Sequence, residues 1–207
     1  MTTGPSRFPR PARLLYSKAI FRVQEGRKKV YLTFDDGPTP GFTGEIIKVL
    51  KQNDVHRAVF FCSGSNIRDY PVEAQEIRQN DYSLANHGYI HMDGWSSKRS
   101  EYIANCLKGA QASDSFFFRP PYGRITAAQF VALRRTMRIV FWDLLFNDYD
   151  AATDVGPVMK KAEKMIRPGS VLVLHDKGNR VTLDLLQRLV HHCRSNGYTF
   201  GDLTRDT

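Results

Sequence analysis

From Lys28 onward, short apolar runs alternate with longer amphipathic segments along the chain. The short runs are rich in β-branched and aromatic residues and are bounded by polar residues, glycine or proline, as buried strands usually are. This pattern predicts seven strands: Val30–Phe34, Ala58–Cys62, Tyr82–Ala85, Ser115–Phe118, Arg138–Trp142, Ser170–Leu174 and Tyr198–Leu203.

Between these runs, apolar residues recur at helical spacing. The six predicted helices contain Ile46–Leu50, Pro71 as a starting residue, Tyr102–Leu107, Phe130–Leu133, Val158–Ile166 and Leu183–Val190. Regular alternation of strand and helix over about 170 residues predicts a parallel sheet covered by helices. We therefore expect an α/β fold, a distorted (β/α) barrel with about seven parallel strands. A doubly wound open sheet is the alternative.

The length and composition indicate one globular domain. A chain of 207 residues with 42% hydrophobic residues can bury one sizeable core. We expect residues 28–207 to form this domain and residues 1–27 to form a basic arm that packs on it. No apolar run approaches the ~20 residues of a membrane span, and the N-terminus lacks the apolar core of a secretory signal. These features predict a cytoplasmic protein, or a periplasmic or cell-surface one if a leader has been removed.

The formal net charge of +9 favours anionic partners. Basic residues of the arm, such as Arg10 and Arg13, interleave with apolar ones, such as Leu14 and Leu15. This pattern is compatible with peripheral membrane contact and with plain packing on the domain. No nucleic-acid motif is recognised, so no nucleic-acid partner is expected. The oligomeric state is not predicted.

Cysteine usage predicts free thiols rather than a disulfide or a metal site. Cys62, Cys106 and Cys193 are odd in number, lie far apart and show no CxxC spacing. Each lies in an apolar or helical run, where a neutral buried thiol is the ordinary state.

Polar residues follow five of the predicted strands. In a parallel barrel, chemistry is found at the C-terminal strand ends, so these residues should share one rim. They are Asp35 and Asp36; Asn86 to His91; Arg119 to Gly123; Asp143, Asn147 and Asp148; and His175 and Asp176.

Histidines four residues apart share one face of a helical turn, as metal ligands often do. His87 and His91 have this spacing, and one carboxylate would complete a facial set with open positions. Taken alone, the histidines could be unrelated surface residues and Asp35-Asp36 could be a polar turn. Their coincidence on one rim favours a metal, whose charge would also relieve the repulsion between the adjacent aspartates.

Two further residues are candidates for acid–base work on this rim. Arg119 could form a charge-assisted bond that orients Asp35, although it could equally be solvated. His175 follows a strongly apolar run and could be a satisfied core histidine or a general acid.

The ordered segments TFDDGP, HGYIH, FRPPYG, WDLLFNDYD and LVLHD resemble the five motifs of the polysaccharide deacetylases, the NodB-homology domain of carbohydrate esterase family 4. The resemblance spans about Lys28 to Leu203. It implies a distorted seven-stranded (β/α) barrel that removes N- or O-acetyl groups from glycans. The implied cofactor is a divalent metal, most often zinc, with cobalt, manganese or nickel as alternatives.

The resemblance also implies residue roles. Asp35 would be the general base, held by Arg119, and His175 would be the general acid, supported by Asp148. The implied metal ligands are Asp36, His87 and His91, and the implied substrate-binding residues are Pro121, Tyr122 with its backbone amide at the oxyanion, Tyr149 and Leu174.

Three positions depart from the family pattern. Gly88 stands where a serine or threonine is usual, Tyr149 where a tryptophan is usual, and Leu145 where an aspartate is usual. The lost hydroxyl at Gly88 could loosen the metal site, and the other two could reshape the acetyl pocket.

The sequence therefore predicts a metal-dependent carbohydrate deacetylase, with an acetylated glycan or amino sugar as its substrate. The alternatives are a related C–N hydrolase acting on a small amide or lipid-linked sugar, and a decayed barrel that binds glycan without turnover.

Overall fold

The computed structural model describes residues 4–24 and 27–207. The strands are β1 (Lys29–Asp35), β2 (Val59–Cys62), β3 (Ser83–Asn86), β4 (Phe117–Phe118), β5 (Arg138–Ile139), β6 (Leu144–Leu145), β7 (Val171–His175) and β8 (Thr199–Phe200). The helices are α1 (Arg10–Leu15), α2 (Phe42–Gln52), α3 (Gly64–Asp69), α4 (Pro71–Gln79), α5 (Arg99–Ser113), α6 (Ala127–Leu133), α7 (Val155–Met165), α8 (Arg180–Ser195) and α9 (Leu203–Asp206).

The strands form one parallel sheet in the order β5-β4-β3-β2-β1-β7-β6, with β8 paired to the beginning of β1. This confirms the (β/α) barrel class and excludes the order of a doubly wound sheet, in which the first strand would not be flanked by β2 and the late strand β7. Between β5 and β6 the described residues form no direct pairing, so the barrel is incompletely closed.

The predicted strand boundaries need correction on the weakly paired side of the sheet. The run Arg138–Trp142 pairs as a strand only to Ile139, and β6 (Leu144–Leu145) was not predicted. The last predicted strand, Tyr198–Leu203, is reduced to β8. An apolar run in the sequence indicates that a segment is buried. A strand also needs a neighbouring strand at hydrogen-bonding distance, which the sequence pattern does not reveal. All six predicted helices are present, while α1, α3 and α9 were not predicted.

Side-chain alternation along the strands separates the interior of the barrel from the helix-facing layer. Tyr31 of β1 belongs to an interior cluster, whereas Leu32 and Phe34 pack in the cluster under the helices. The same parity sends Thr33 and Asp35 to the interior. A carboxylate at the end of a buried strand is thereby aimed into the barrel mouth.

Residues of the arm lie across the open side of the barrel. Ile20 forms a bridge with Val140, which follows β5, and Ser6 forms one with Leu145 of β6. Phe8 packs against Phe141 with ring centroids 4.3 Å apart. The described part of the arm therefore joins the two strands that do not pair with each other.

Other general expectations have mixed outcomes. All three cysteines are free and buried, as predicted. Leu14 and Leu15 of α1 are 82% and 59% exposed, and contact of the arm with a membrane surface stays a prediction. Across the described ranges, no helix combines the length and apolarity that crossing a bilayer would require.

Candidate active site

The ends of three strands meet at one cavity. Asp35 and His175 are the last residues of β1 and β7 and are register partners, and His87 directly follows β3. The cavity has a volume of about 350 Å³, at the lower end of the ~300–1,000 Å³ typical of ligand sites. Its lining includes Asp35, Asp36, His87, His91, Tyr122, Tyr149 and His175.

Asp36, His87 and His91 place their ligating atoms within 4.8 Å of one another. Asp36 Oδ1 lies 3.5 Å from His87 Nε2 and 3.0 Å from His91 Nε2. Asp36 reaches this position because its backbone has a φ of 79°, which turns its side chain away from that of Asp35. The two adjacent carboxylates therefore have different surroundings.

The protonation of His87 tests whether these residues fit a cation. His87 Nδ1 lies 2.8 Å from the carbonyl oxygen of Arg119, and a carbonyl only accepts, so Nδ1 carries the proton. The lone pair on Nε2 then faces Asp36. Among the described residues, no donor bonds the buried Asp36 Oδ1. Converging lone pairs on two imidazoles and one carboxylate suit a divalent ion such as Zn²⁺, with positions left for water and substrate.

The segment that carries the two histidines is an irregular loop and not the predicted helical turn. Gly88 has a φ of +83°, and a β-carbon there would lie 2.8 Å from Asn105 Nδ2 and 2.9 Å from the Ile90 carbonyl oxygen. This close approach explains the departure from serine or threonine at Gly88, because a larger residue would collide with the groups that fix the loop.

Two asparagines hold this loop in place of the missing hydroxyl. The backbone N–H of Gly88 donates to Asn86 Oδ1 at 2.7 Å. Asn105, on α5, accepts from the N–H of Ile90 at 2.9 Å and donates to its carbonyl at 3.0 Å. The loop is therefore tied at both ends of the span between the two histidines.

Asp35 is paired with a fully buried arginine. Arg119 Nη1 donates to Asp35 Oδ1 at 2.5 Å and to Thr33 Oγ1 at 2.9 Å. Its guanidinium carbon lies 4.0 Å from the centre of the Phe61 ring. Burial lowers the pKa of Arg119, yet an arginine stays charged at neutral pH. Asp35 is therefore oriented by a fixed cation on its inner side and faces the cavity on the other.

Asp36 remains ionised despite its burial. Burial alone would raise the pKa of Asp36; hydrogen bonds from His87 and His91, which form when these imidazoles are protonated and no cation is bound, lower it below its usual range. A permanently charged carboxylate is what a metal ligand requires.

His175 is held by Asp148 from behind. Its Nδ1 lies 2.8 Å from Asp148 Oδ1, and its backbone N–H donates to Asp148 Oδ2 at 2.8 Å. Thr182 Oγ1 also donates to Asp148 Oδ2, at 2.7 Å. Since a carboxylate only accepts, Nδ1 carries a proton and Nε2 is directed to the cavity. Burial alone would lower the pKa of His175, but Asp148 and the nearby carboxylates raise it above its ordinary value.

The sequence reasoning missed three cavity residues, Arg124, Trp142 and Lys177. Lys177 Nζ lies 3.0 Å from Asp36 Oδ2, and its position two residues after His175 at a strand end was a usable signal. Trp142 lies against Gly123, where a β-carbon would be 2.4 Å from the indole ring. Trp142 fell inside a predicted strand, and no pattern in the sequence distinguished it from a core residue.

Two predicted substrate-binding residues, Leu174 and Pro121, lie outside the lining of the cavity. Leu174 is fully buried in the helix-facing core, because it neighbours His175 on β7 and alternation sends it to the opposite side. Pro121 is buried inside the turn, and Pro120 lines the cavity instead. Tyr122 and Tyr149 do line it, with the Tyr149 ring centroid 4.8 Å from that of His175.

Two of the polar residues expected on the rim lie elsewhere. Asp143 precedes β6 and therefore lies at the N-terminal end of the strands, where Ser170, which precedes β7, donates to it at 2.8 Å. Asp176 turns toward α2 and accepts from Thr43 Oγ1 at 2.6 Å. Burial raises the pKa of Asp176 to about 7.

Known proteins share this sequence and architecture. The polysaccharide deacetylase family model matches residues 22–137, more than half of the chain. A peptidoglycan-N-acetylglucosamine deacetylase of Bacillus cereus is 25% identical over 189 residues, which are 87% of this chain and 88% of that protein. A chitooligosaccharide deacetylase of Sinorhizobium fredii is 28% identical over 169 residues, 78% of each chain.

The structural similarity extends over nearly the whole molecule. A crystal structure of a peptidoglycan N-acetylglucosamine deacetylase superposes with a TM-score of 0.83 at 26% identity, covering 90% of this chain and 91% of the other. A family-model match over more than half of the chain, relatives of the same kind and a shared fold all agree. On these grounds the chain belongs to the polysaccharide deacetylase family.

Proposed function

We propose that this protein is a metal-dependent deacetylase that hydrolyses the acetamide of N-acetylated sugar units in a glycan. One observation carries the proposal: a buried carboxylate oxygen without a hydrogen-bond donor among the described residues converges with two imidazoles. Asp35 and His175, which are register partners on β1 and β7, line the same cavity. These residues would form a metal site with Asp35 as a nearby base and His175 as a nearby acid.

Asp36, His87 and His91 would hold the metal, with zinc the best match to two imidazoles and one carboxylate. Cobalt, manganese or nickel would also suit this donor set. A bound divalent ion supplies an acidified water and polarises the acetyl carbonyl.

The remaining steps belong to side chains of this protein. Asp35, fixed by Arg119, takes the proton of the attacking water. The backbone N–H of Tyr122 donates to the developing oxyanion; such a donor is worth about 3–4 kcal/mol of barrier. His175, kept protonated at Nε2 by the carboxylate behind it, gives its proton to the leaving amine. Asp148 fixes the orientation of the imidazole.

The substrate class rests on the relatives and on the size of the cavity. The similar proteins are named for N-acetylglucosamine units of peptidoglycan and for chitooligosaccharides. A cavity of about 350 Å³ suits one acetylated sugar unit, with apolar walls at Trp142, Leu145 and Tyr149. We therefore favour an N-acetylhexosamine in a glycan chain.

The test combines metal content with turnover. We expect the protein, after incubation with Zn²⁺ and dialysis, to retain about one ion per chain and to release acetate from N-acetylated chitotetraose or peptidoglycan fragments. Asp36→Asn should lose both the ion and the activity. Asp184→Asn is the matched control, since this aspartate is half exposed on α8, where it pairs with Arg188.

The other outcomes separate the alternatives. Retention of zinc without acetate release from any glycan would point to a binding barrel without turnover. Acetate or amine release from small amides alone would point to a related C–N hydrolase. Full activity after exhaustive chelation would overturn the metal dependence.

A further inference from the structure

Trp95 is a large apolar side chain that is exposed yet firmly held. It lies between His91 and α5, with 65% of its surface exposed. Its backbone N–H donates to Asp93 Oδ1 at 2.9 Å, and its indole N–H donates to the Ile125 carbonyl at 3.3 Å. A rigid, exposed aromatic ring loses little freedom on binding, which makes it a good anchor for a ligand.

The loop that carries Trp95 is also built to stay in place. Gln129 is buried and donates to the Gly94 carbonyl at 2.9 Å. A β-carbon at Gly94 would lie 2.4 Å from the Arg124 carbonyl oxygen, so the loop lies directly on the turn that follows β4. The exposure of Trp95 is thus a property of a well-packed segment.

A continuous row of contacts leads from the metal cluster to Trp95. The Tyr122 ring lies edge-on to His91 with centroids 4.3 Å apart. The Arg124 guanidinium lies 5.5 Å from the Tyr122 ring centre and 5.1 Å from the Trp95 ring centre. Tyr122 and Arg124 line the cavity, whereas Trp95 lies outside its lining. The row therefore extends the cavity in one direction along the surface.

The charge of this row is balanced. Arg124 Nη1 pairs with Asp93 Oδ2 at 2.5 Å, so the guanidinium is neutralised where it bridges the two rings. The site therefore offers flat apolar area and hydrogen-bonding groups without net charge. An uncharged sugar ring, with C–H groups on one face and hydroxyls at its edge, matches that combination, since the face of an aromatic ring is electron-rich.

We propose that Trp95, Arg124 and Tyr122 form a subsite for the sugar adjacent to the one that is deacetylated. This inference rests on the proposed function and narrows it: the protein acts on oligomeric or polymeric glycans of uncharged units. In this arrangement the ring stacks on Trp95 while its neighbour presents the acetamide to the cavity. This remote contact strengthens binding of the substrate and the transition state alike, so its effect is expected mainly in KM.

The kinetic test compares a long and a short substrate. We expect Trp95→Ala to lower kcat/KM for N-acetylated chitotetraose at least about 10-fold more than for the monosaccharide N-acetylglucosamine, which has no adjacent sugar, mainly through KM. Trp95→Phe, which keeps a ring face, should recover most of the difference. Phe116→Ala is the control, because Phe116 is also an exposed aromatic, at 56%, but precedes β4 at the opposite end of the barrel. An equal loss on both substrates, or none, would overturn the subsite.

A binding measurement separates the subsite from the chemistry. The chain has two tryptophans, so the fluorescence change that chitotetraose induces can be compared between the unaltered protein and Trp95→Ala. We expect the tetramer to bind more tightly than the monosaccharide N-acetylglucosamine. This difference in affinity should disappear in Trp95→Ala and should be insensitive to added salt. Tight tetramer binding without acetate release would sustain the subsite while the deacetylase proposal failed. Steep weakening by salt would contradict an uncharged ligand.

Discussion

Buried aspartates lie at both ends of the barrel strands, and their surroundings are opposite. Asp143, at the N-terminal end, is fully buried and accepts bonds from Arg7 at 2.6 Å, Arg167 at 2.7 Å and Ser170 at 2.8 Å. Asp36, at the C-terminal end, has a buried Oδ1 that receives no hydrogen bond from the described residues. The first carboxylate is saturated with donors, whereas the second has Oδ2 paired with Lys177 and Oδ1 facing the lone pairs of two imidazoles.

This difference shows how burial alone misleads about function. A buried charge must be paired or coordinated. Around Asp143 the protein supplies all the partners itself, so the cluster holds the arm and the start of β7 together. Around Asp36 Oδ1 it supplies two imidazoles instead of donors, although Lys177 pairs with Oδ2, and this arrangement fits a cation from outside. A buried aspartate thus has a structural role at the N-terminal end of the strands and a proposed functional role at the C-terminal end.

The largest expected effect is at the functional end. Asp35→Asn should lower kcat by about 10²–10⁴-fold, the usual contribution of a general base, while bound zinc stays at the level of the unaltered protein. The asparagine amide keeps an oxygen that can accept from Arg119, so the hydrogen bond is weakened but not lost. Acetate release and metal analysis on the same preparation decide this. A near-normal kcat would remove Asp35 from the proposed role.

A substitution at Asp143, at the N-terminal end of the strands, should change the stability of the protein but not its turnover. Asp143→Asn should lower the free energy of unfolding by about 3 kcal/mol, at the low end for breaking a buried ion pair, because the arginines are partly solvated. Urea denaturation measures this, and the kcat of the folded protein should be unchanged. A large loss of kcat with normal stability would contradict the contrast between the two ends.

The pH dependence of that cluster has a defined sign. Burial alone would raise the pKa of Asp143, but Arg167, Ser170 and Arg7 lower it to about 2, below the ~3.9 of an unfolded chain. The contribution to stability is therefore fully present above pH ~4 and is lost as the pH falls toward 2. The Asn variant should lack this component of the acid unfolding profile.

A third substitution tests the contacts that support the loop from His87 to His91. Asn105→Ala should weaken zinc binding about 10–100-fold, as is usual when a group that orients ligands is removed. Zinc affinity is measured by competition with a chelator of known affinity. Gln111→Ala is the matched control, since Gln111 is exposed on the same helix. Unchanged affinity in Asn105→Ala would show that Asn86 suffices.

The smallest expected effect concerns the acid. His175 must be protonated to act, and its pKa is raised by the carboxylate behind it. Asp148→Asn should therefore move the alkaline limb of the pH–kcat profile to lower pH, with a loss of about 10-fold near neutrality. A profile that keeps its position would indicate that another group limits activity at high pH.

The local patterns of the chain predicted the barrel and most of its site. Short apolar runs identified the long strands, and apolar residues at helical spacing identified six helices. The polar residues after those strands included Asp35, Asp36, His87, Arg119 and His175. These predictions succeeded because buried parallel strands are continuous in sequence and their C-terminal ends share one edge.

Other features depended on contacts between distant segments. Because side chains alternate along β7, Leu174 points to the helix-facing core and not to the cavity. Because Asp143 precedes β6, it lies at the N-terminal end of the barrel strands. Lys177, Trp142 and the two asparagines of the metal loop became visible only when their partners were in place. The sequence by itself thus determined which residues could do chemistry. Tertiary structure decided which of them meet, because distance, parity and hydrogen-bond saturation arise only from the folded chain.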